Sequence, residues 1–211
     1  MCIRDSSSDV RRVIPRINWQ SGTIYEMYKN NYSSTNRTSQ TATSGLYGSN
    51  YYILTSEFKV YLCINNGSDP ENPKGKTSKF EPTHTSTTVP AADNTATGDG
   101  YQWKYLYTIA PADIVKFVTT SYIPLPEKWG DVSTKTIKDA AVDGKLETIV
   151  IKRRGTATVD GVDGDISGIP IIGDGTGGTA TATVTNGVVS EIKLSNTNSS
   201  GYTYAYVRFV N

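Results

Sequence analysis

Between residues 57 and 64 the chain alternates, with Phe58, Val60, Leu62 and Ile64 on one side and Glu57, Lys59, Tyr61 and Cys63 on the other. A period of two is the pattern of a half-buried β-strand. Residues 101–109 repeat it and place Tyr101, Trp103, Tyr105, Tyr107 and Ile109 on one side. Such an aromatic stripe predicts the anchor of a core or an interface. Residues 146–152 alternate again, with Ile149 and Ile151 inward. Further on, the run TATATV at 179–184, the pair Asn186-Gly187 and residues 188–195 predict a hairpin, because Asn-Gly between alternating runs favours a tight two-residue turn. Residues 202–210 predict a third strand beside it. Helical spacing is confined to 111–118: Pro111 suits the first helical position, Asp113 the first turn, and Ile114, Val115 and Val118 form a short apolar face. A weaker one-turn helix is read at 25–29.

Polar, turn-rich stretches separate these elements at 30–50, 65–79 and 83–100, and they predict long loops on a β scaffold. Near residue 145 the composition shifts to Gly, Thr, Val and Ala. The fold class expected is therefore mainly β: an antiparallel sheet or sandwich core with long loops and one short helix, plus a small C-terminal β-hairpin repeat unit. The domains expected are 13–140, a β-rich unit, and 145–211, a Gly/Thr-rich all-β unit. Residues 1–12 are expected to be artefactual or disordered, since MCIRDS resembles the translated adapter that heads metagenomic fragments. Sequence is expected to be missing at both ends.

Charge adds little: 21 Lys+Arg against 20 Asp+Glu give a net charge of +1, with no basic stripe of the kind that binds nucleic acid or a membrane surface. No run approaches the roughly 18 apolar residues of a membrane span. Cys2 and Cys63 are too few for a disulfide framework. The aromatic balance is more telling. Tyr occurs 14 times against 4 Phe and 3 Trp, and a side chain with an apolar body and a polar tip suits half-buried sheets and contacts with partners.

Little in the chain points to chemistry. Residues 173–178 (GDGTGG) match GxGxxG, but a strand-forming run follows where a dinucleotide site needs a helix, so a turn into a strand is the reading. Asp160, Asp163 and Asp165 cluster in DGVDGD and are weak metal candidates; their spacing is not that of a calcium loop, and Asp-Gly turns explain them more simply. His84, the sole histidine, excludes any two-histidine metal site and stands in a Thr-rich loop without a GxSxG partner. No catalytic residue and no cofactor is expected, and the chain is read as not an enzyme.

Two segments carry a family resemblance: 13–25 (VIPRINWQSGTIY), and 98–109 (GDGYQWKYLYTI) continuing through 122–126 (YIPLP), with VYLCINN at 60–66 between them. Together they resemble the baseplate wedge subunit of T-even-like contractile-tail phages, the mainly-β product of gene eight that enters assembly as a homodimer. The resemblance covers about residues 13–130. It implies a virion component of the phage tail baseplate, assembled in the host cytoplasm, whose partners are other wedge proteins and a second copy of itself, with no nucleic acid and no membrane. Trp19, Tyr25, Tyr101, Trp103, Tyr105 and Tyr107 are the residues expected to organise its core or its interfaces. The alternative is a tail-associated glycan- or receptor-binding module, which aromatic faces and Asn-rich loops would also suit.

Overall fold

The computed structural model describes residues 10–41, 45–94, 97–154, 163–196 and 198–208. In chain order the strands are β1 (Val13–Pro15), β2 (Tyr52–Leu54), β3 (Lys59–Asn66), β4 (Tyr101–Thr108), β5 (Tyr122–Pro124), β6 (Gly164–Pro170), β7 (Ile172–Gly173), β8 (Thr179–Thr185), β9 (Val188–Leu194) and β10 (Ala205–Tyr206). All pair antiparallel, in sheets of order β2-β3-β4, β6-β8-β9, β1-β5 and β7-β10. The protein is mainly β.

The alternating runs at 57–64 and 101–109 become β3 and β4, but the sheet they build is not half-buried. Tyr61 and Cys63, expected on the outer side, are fully buried, and so is Val60 on the opposite side. Two register shifts explain how. Val60 pairs with Tyr107 while Tyr61 pairs with Tyr105, so β4 carries an extra residue at Leu106. Cys63 pairs with Trp103 while Asn65 pairs with Gln102, so β3 carries an extra residue at Ile64. A bulge of this kind breaks the alternation and re-aims the side chains beyond it. The aromatic stripe therefore divides. Tyr101 and Trp103, with Tyr105 at their edge, join Tyr25, Met27, Ile53, Tyr61 and Cys63 in one cluster. Tyr107 and Ile109 join Tyr52, Leu54, Val60 and Ile123 in another. Because Ile53 lies between Tyr52 and Leu54 on one strand, the clusters occupy opposite faces of the sheet. Each fully buried Tyr or Ile side chain contributes about 1.5–3 kcal/mol relative to exposure, so both faces matter to stability.

The β1–β5 ribbon pairs Ile14 with Ile123 over the second cluster. Helix α1 (Pro111–Phe117) packs beside β5, with Pro in its first turn, Asp113 near the positive end of the helix dipole and Lys116 near the negative end. Ile114 and Val118 face the second cluster, whereas Val115, expected with them, is 88% exposed. One residue on from Ile114 is about 100° round the helix axis, too far to share its face. A further five-residue turn, α2 (Lys135–Asp139), buries Ile137. Residues 25–29 form no helix. Their amides donate outward instead: Tyr25 to Tyr101 Oη, Glu26 to Asn50 Oδ1, Met27 to Gln40 Oε1 and Tyr28 to the Cys63 carbonyl.

The hairpin at 179–195 forms as β8 and β9, and Asn186 (φ 51) and Gly187 (φ 72) both take the positive φ that a type I′ turn requires. Its third strand is β6; of the stretch 202–210, residues 209 and 210 lie outside the described residues, and 202–208 give only the short β10, which pairs with β7. Nor do residues 146–152 join a sheet. They are held by side chains, Glu147 to Lys104 (2.6 Å) and Thr148 to Gln102 (2.6 Å). Just before them, the carbonyls of Asp143 and Gly144 accept from the amides of Gly201 and Tyr202, so the stretch from 143 to 148 bonds both to the central sheet and to the C-terminal residues. Of the segment 1–12, residues 1–9 lie outside the described residues. Arg11 reaches Asp113 at 3.7 Å and Glu127 at 3.4 Å, and the Arg12 carbonyl accepts from Leu125.

Candidate functional site

Tyr101 and Trp103 stack at 5.3 Å between ring centres, and Tyr25 meets both edge-on at 6.3 and 5.5 Å. Offset and edge-to-face rings are the favourable geometries, worth about 0.5–1.5 kcal/mol per pair beyond burial. The phenol groups of the buried tyrosines have partners. Tyr101 Oη accepts from the Tyr25 amide and donates to the Lys76 carbonyl (2.8 Å), and Tyr107 Oη donates to the Pro124 carbonyl (3.0 Å). Burial pushes the phenols of Tyr61, Tyr101 and Tyr107 up, and that of Tyr52 up to about 12. Trp19 is half-buried and donates from Nε1 to Ser78 Oγ (3.1 Å), pinning the start of the chain near the cluster. Tyr105 is half-buried, with its ring 5.7 Å from Tyr61. All six aromatics singled out in the sequence thus lie within or at the rim of the two clusters.

The loops are organised by buried polar side chains that the sequence did not single out. Glu26 is 6% exposed, and its carboxylate accepts from Ser49 Oγ and from the amide and hydroxyl of Thr41. Burial would raise its pKa, but the hydrogen bonds from Ser49, Thr41 and Ser39 outweigh it and hold the carboxyl below its usual range. Asp99 accepts from the amides of Lys79 (2.8 Å) and Tyr101 (3.1 Å), tying the 78–80 turn to the start of β4. Asn66, fully buried, donates from Nδ2 to the carbonyls of Tyr25 (2.7 Å) and Lys74 (3.1 Å) and to Gln40 Oε1 (2.9 Å), and its Oδ1 accepts from the Ser68 amide (3.2 Å). These residues stand in loops or at a strand end, where no periodicity marks them.

His84 caps the sheet. One ring nitrogen, Nε2, lies 3.1 Å from the Trp103 carbonyl and the other accepts from the Ser86 amide, which assigns the proton to Nε2. Burial lowers its pKa, opposed by the bond to Trp103, so the ring is neutral. In the glycine run, a Cβ on Gly175 would come within 2.5 Å of the Tyr202 ring, and Asp174 accepts from the amides of Thr203 (2.9 Å) and Tyr204 (3.2 Å). The Thr203 hydroxyl, which also donates to Asp174, and then those amides hold its carboxyl down to about 2. The glycines serve close approach to residues 198–204, and the engagement of Thr203 and Tyr204 by Asp174 diverts this stretch from the β8–β9 hairpin. Of the aspartate cluster, Asp160 lies outside the described residues; Asp163 accepts from the Gly187 amide and Asp165 from Thr183 Oγ1. Among the described residues no group of three or more His, Cys, Asp or Glu could hold a metal ion.

The large apolar side chains that remain in water sit on the periphery: Tyr47 (93% exposed), Val132 (96%), and Trp129, Tyr204 and Tyr206 at about half. A double-faced sheet with polar-stapled loops and large apolar side chains left in water defines a mainly-β protein. Residues 60–162 match the family described as Bacteriophage T4, Gp8, the baseplate wedge gene 8 product, and the match supports the identification of the chain as a baseplate wedge subunit. The span opens in β3 and takes in β4, α1, β5 and α2. No curated protein and no solved structure matches the chain significantly. The family's role is structural, in the wedge of the phage baseplate, and it makes the chain a component of the virion tail. No described helix is long and apolar enough to cross a membrane.

Proposed function

We propose that the chain acts through protein–protein contacts alone, joining other wedge proteins and a second copy of itself during assembly in the host cytoplasm, without a catalytic step or a cofactor. The family match over the central sheet carries this reading. It is supported by the division of labour in the fold: both faces of that sheet are occupied internally, so the apolar groups available to neighbours are those of the rim, such as Tyr47, Trp129 and Val132. A permanent interface needs roughly 2,000 Å² or more of total buried surface, and several such groups must act together to reach it. The test is light scattering of the purified chain alone and mixed with neighbouring wedge proteins. The expected result is a stable complex that Val132→Asp and Tyr47→Ala weaken without lowering the melting temperature, together with a silent glycan array. A chain that stays monomeric, ignores every wedge protein and binds a defined sugar would overturn it.

A further inference from the structure

Residues 145–149 and 192–196 line a cleft of about 310 Å³, with Val89, Ala91 and Ala92 completing its apolar lining. One wall is the outer edge of β9, which pairs only with β8. The Ser195 amide donates to the Thr179 carbonyl, and Lys193 stands opposite Thr181 one step along, so both residues turn their main-chain groups towards β8. Alternate residues of an antiparallel strand point the opposite way, which directs the amides and carbonyls of Ile192 and Leu194 out of the sheet. The Ser190 carbonyl, in the same outward row, accepts from Arg154 Nη1 (2.9 Å). The other wall has the alternation and β-branching of a strand at Thr148, Ile149, Val150 and Ile151, yet no backbone–backbone hydrogen bond joins 146–151 to any described residue. Half-buried main-chain groups require partners. Asn196 Oδ1, on the same lining, is buried without a hydrogen-bond donor. The charge on the lining is positive. Glu147 is neutralised by Lys104 at 2.6 Å and Lys193 pairs with Glu191 at 2.8 Å, while Lys145 has no ion-pair partner among the described residues.

We propose that this cleft is a β-strand acceptor. It takes an extended segment of a partner protein that carries an acidic side chain, bonded through the main chain to Ile192 and Leu194 and steered by Lys145. Adding a strand to an open sheet edge obtains affinity from main-chain bonds and specificity from alternate side chains. The proposal does not rest on the baseplate reading, because any protein able to offer such a strand would satisfy it.

The probe is the acetylated, amidated pentapeptide Thr-Val-Glu-Val-Thr at millimolar concentration, with the full chain, read by amide hydrogen exchange. Exchange at Ile192 and Leu194 should slow by about fivefold or more as opening becomes linked to release of the peptide. A peptide of the same sequence with its amides methylated should give no slowing. Leu194→Pro removes an outward amide without touching a β8 bond, and Ala92→Trp fills the cleft from the opposite side; each should abolish the effect. Lys145→Glu should weaken binding several-fold at low salt. No slowing with the unmodified peptide overturns the proposal, as does slowing that the methylated peptide reproduces or that survives Ala92→Trp.

Discussion

Asn66 offers the sharpest test of how the loops are held. Its amide bonds three separate stretches of chain, at Tyr25, Gln40 and Lys74, and its carbonyl oxygen takes the Ser68 amide, from a side chain that itself has no access to water. Asn66→Ala deletes these bonds, strands the buried Tyr25 carbonyl, and leaves the Lys74 carbonyl, Gln40 Oε1 and the Ser68 amide partly buried without this partner. A lost hydrogen bond costs about 1 kcal/mol net, and a stranded buried polar group about 1–3 kcal/mol. Some of these groups will recover water as the loops relax, so the expected loss is about 3–4 kcal/mol, a large share of the 5–15 kcal/mol typical of a domain. Asn66→Asp should be worse at neutral pH, because it sets a carboxylate against the carbonyls of Tyr25 and Lys74, and should partly recover in acid as that group protonates. The assay is urea unfolding followed by tryptophan fluorescence, since the buried Trp103 sits in the cluster that these loops cover. The midpoint should fall with the slope unchanged. A loss below about 1 kcal/mol for Asn66→Ala would refute the reasoning, because one ordinary bond would then account for the whole effect.

Glu26 should make the fold acid-sensitive. Its folded pKa lies below the unfolded value of about 4.3, so its stabilisation is present above that pH and is lost as pH falls through the folded value; thermal melts between about pH 3 and 7 should show Glu26→Gln flattening this limb. Asn186→Ala should lower stability by about 1–2 kcal/mol in calorimetry, because Ala keeps the β-carbon at positive φ but loses the local side-chain hydrogen bonding by which Asn tolerates it, and Asn186→Gly, with no β-carbon, should be close to neutral. Gly175→Ala should cost about 1–3 kcal/mol by driving a methyl group into the Tyr202 ring, seen as a lower melting temperature.

Local rules were enough wherever an element is defined by its own residues. The Asn186-Gly187 hairpin and the Pro111 helix follow from turn and capping chemistry, and both stand nearly where the pattern put them. Rules of period two failed where a distant partner decides. The stripe from Tyr101 to Ile109 reads as one face, yet an extra residue at Leu106 divides it, and nothing at Leu106 itself announces a bulge. Residues 146–152 have every local mark of a strand and no ladder to join. Residues 202–204 are drawn away from the hairpin by Asp174, which captures two of their amides. The aromatic positions were legible because large rings seek burial. Glu26, Asn66 and Asp99 were not, since a polar residue in a polar loop looks the same whether it is solvated or sealed inside.

The division of the β4 stripe has a bearing on how such a subunit can change over time. With neither broad surface of its middle layer facing outward, a substitution there is answerable only to the molecule's own rings and aliphatics. Adaptation to a new neighbour has to be written in the connecting segments instead. The centre can stay constant while the connecting segments vary around it, because the packing on both of its faces is closed within the chain.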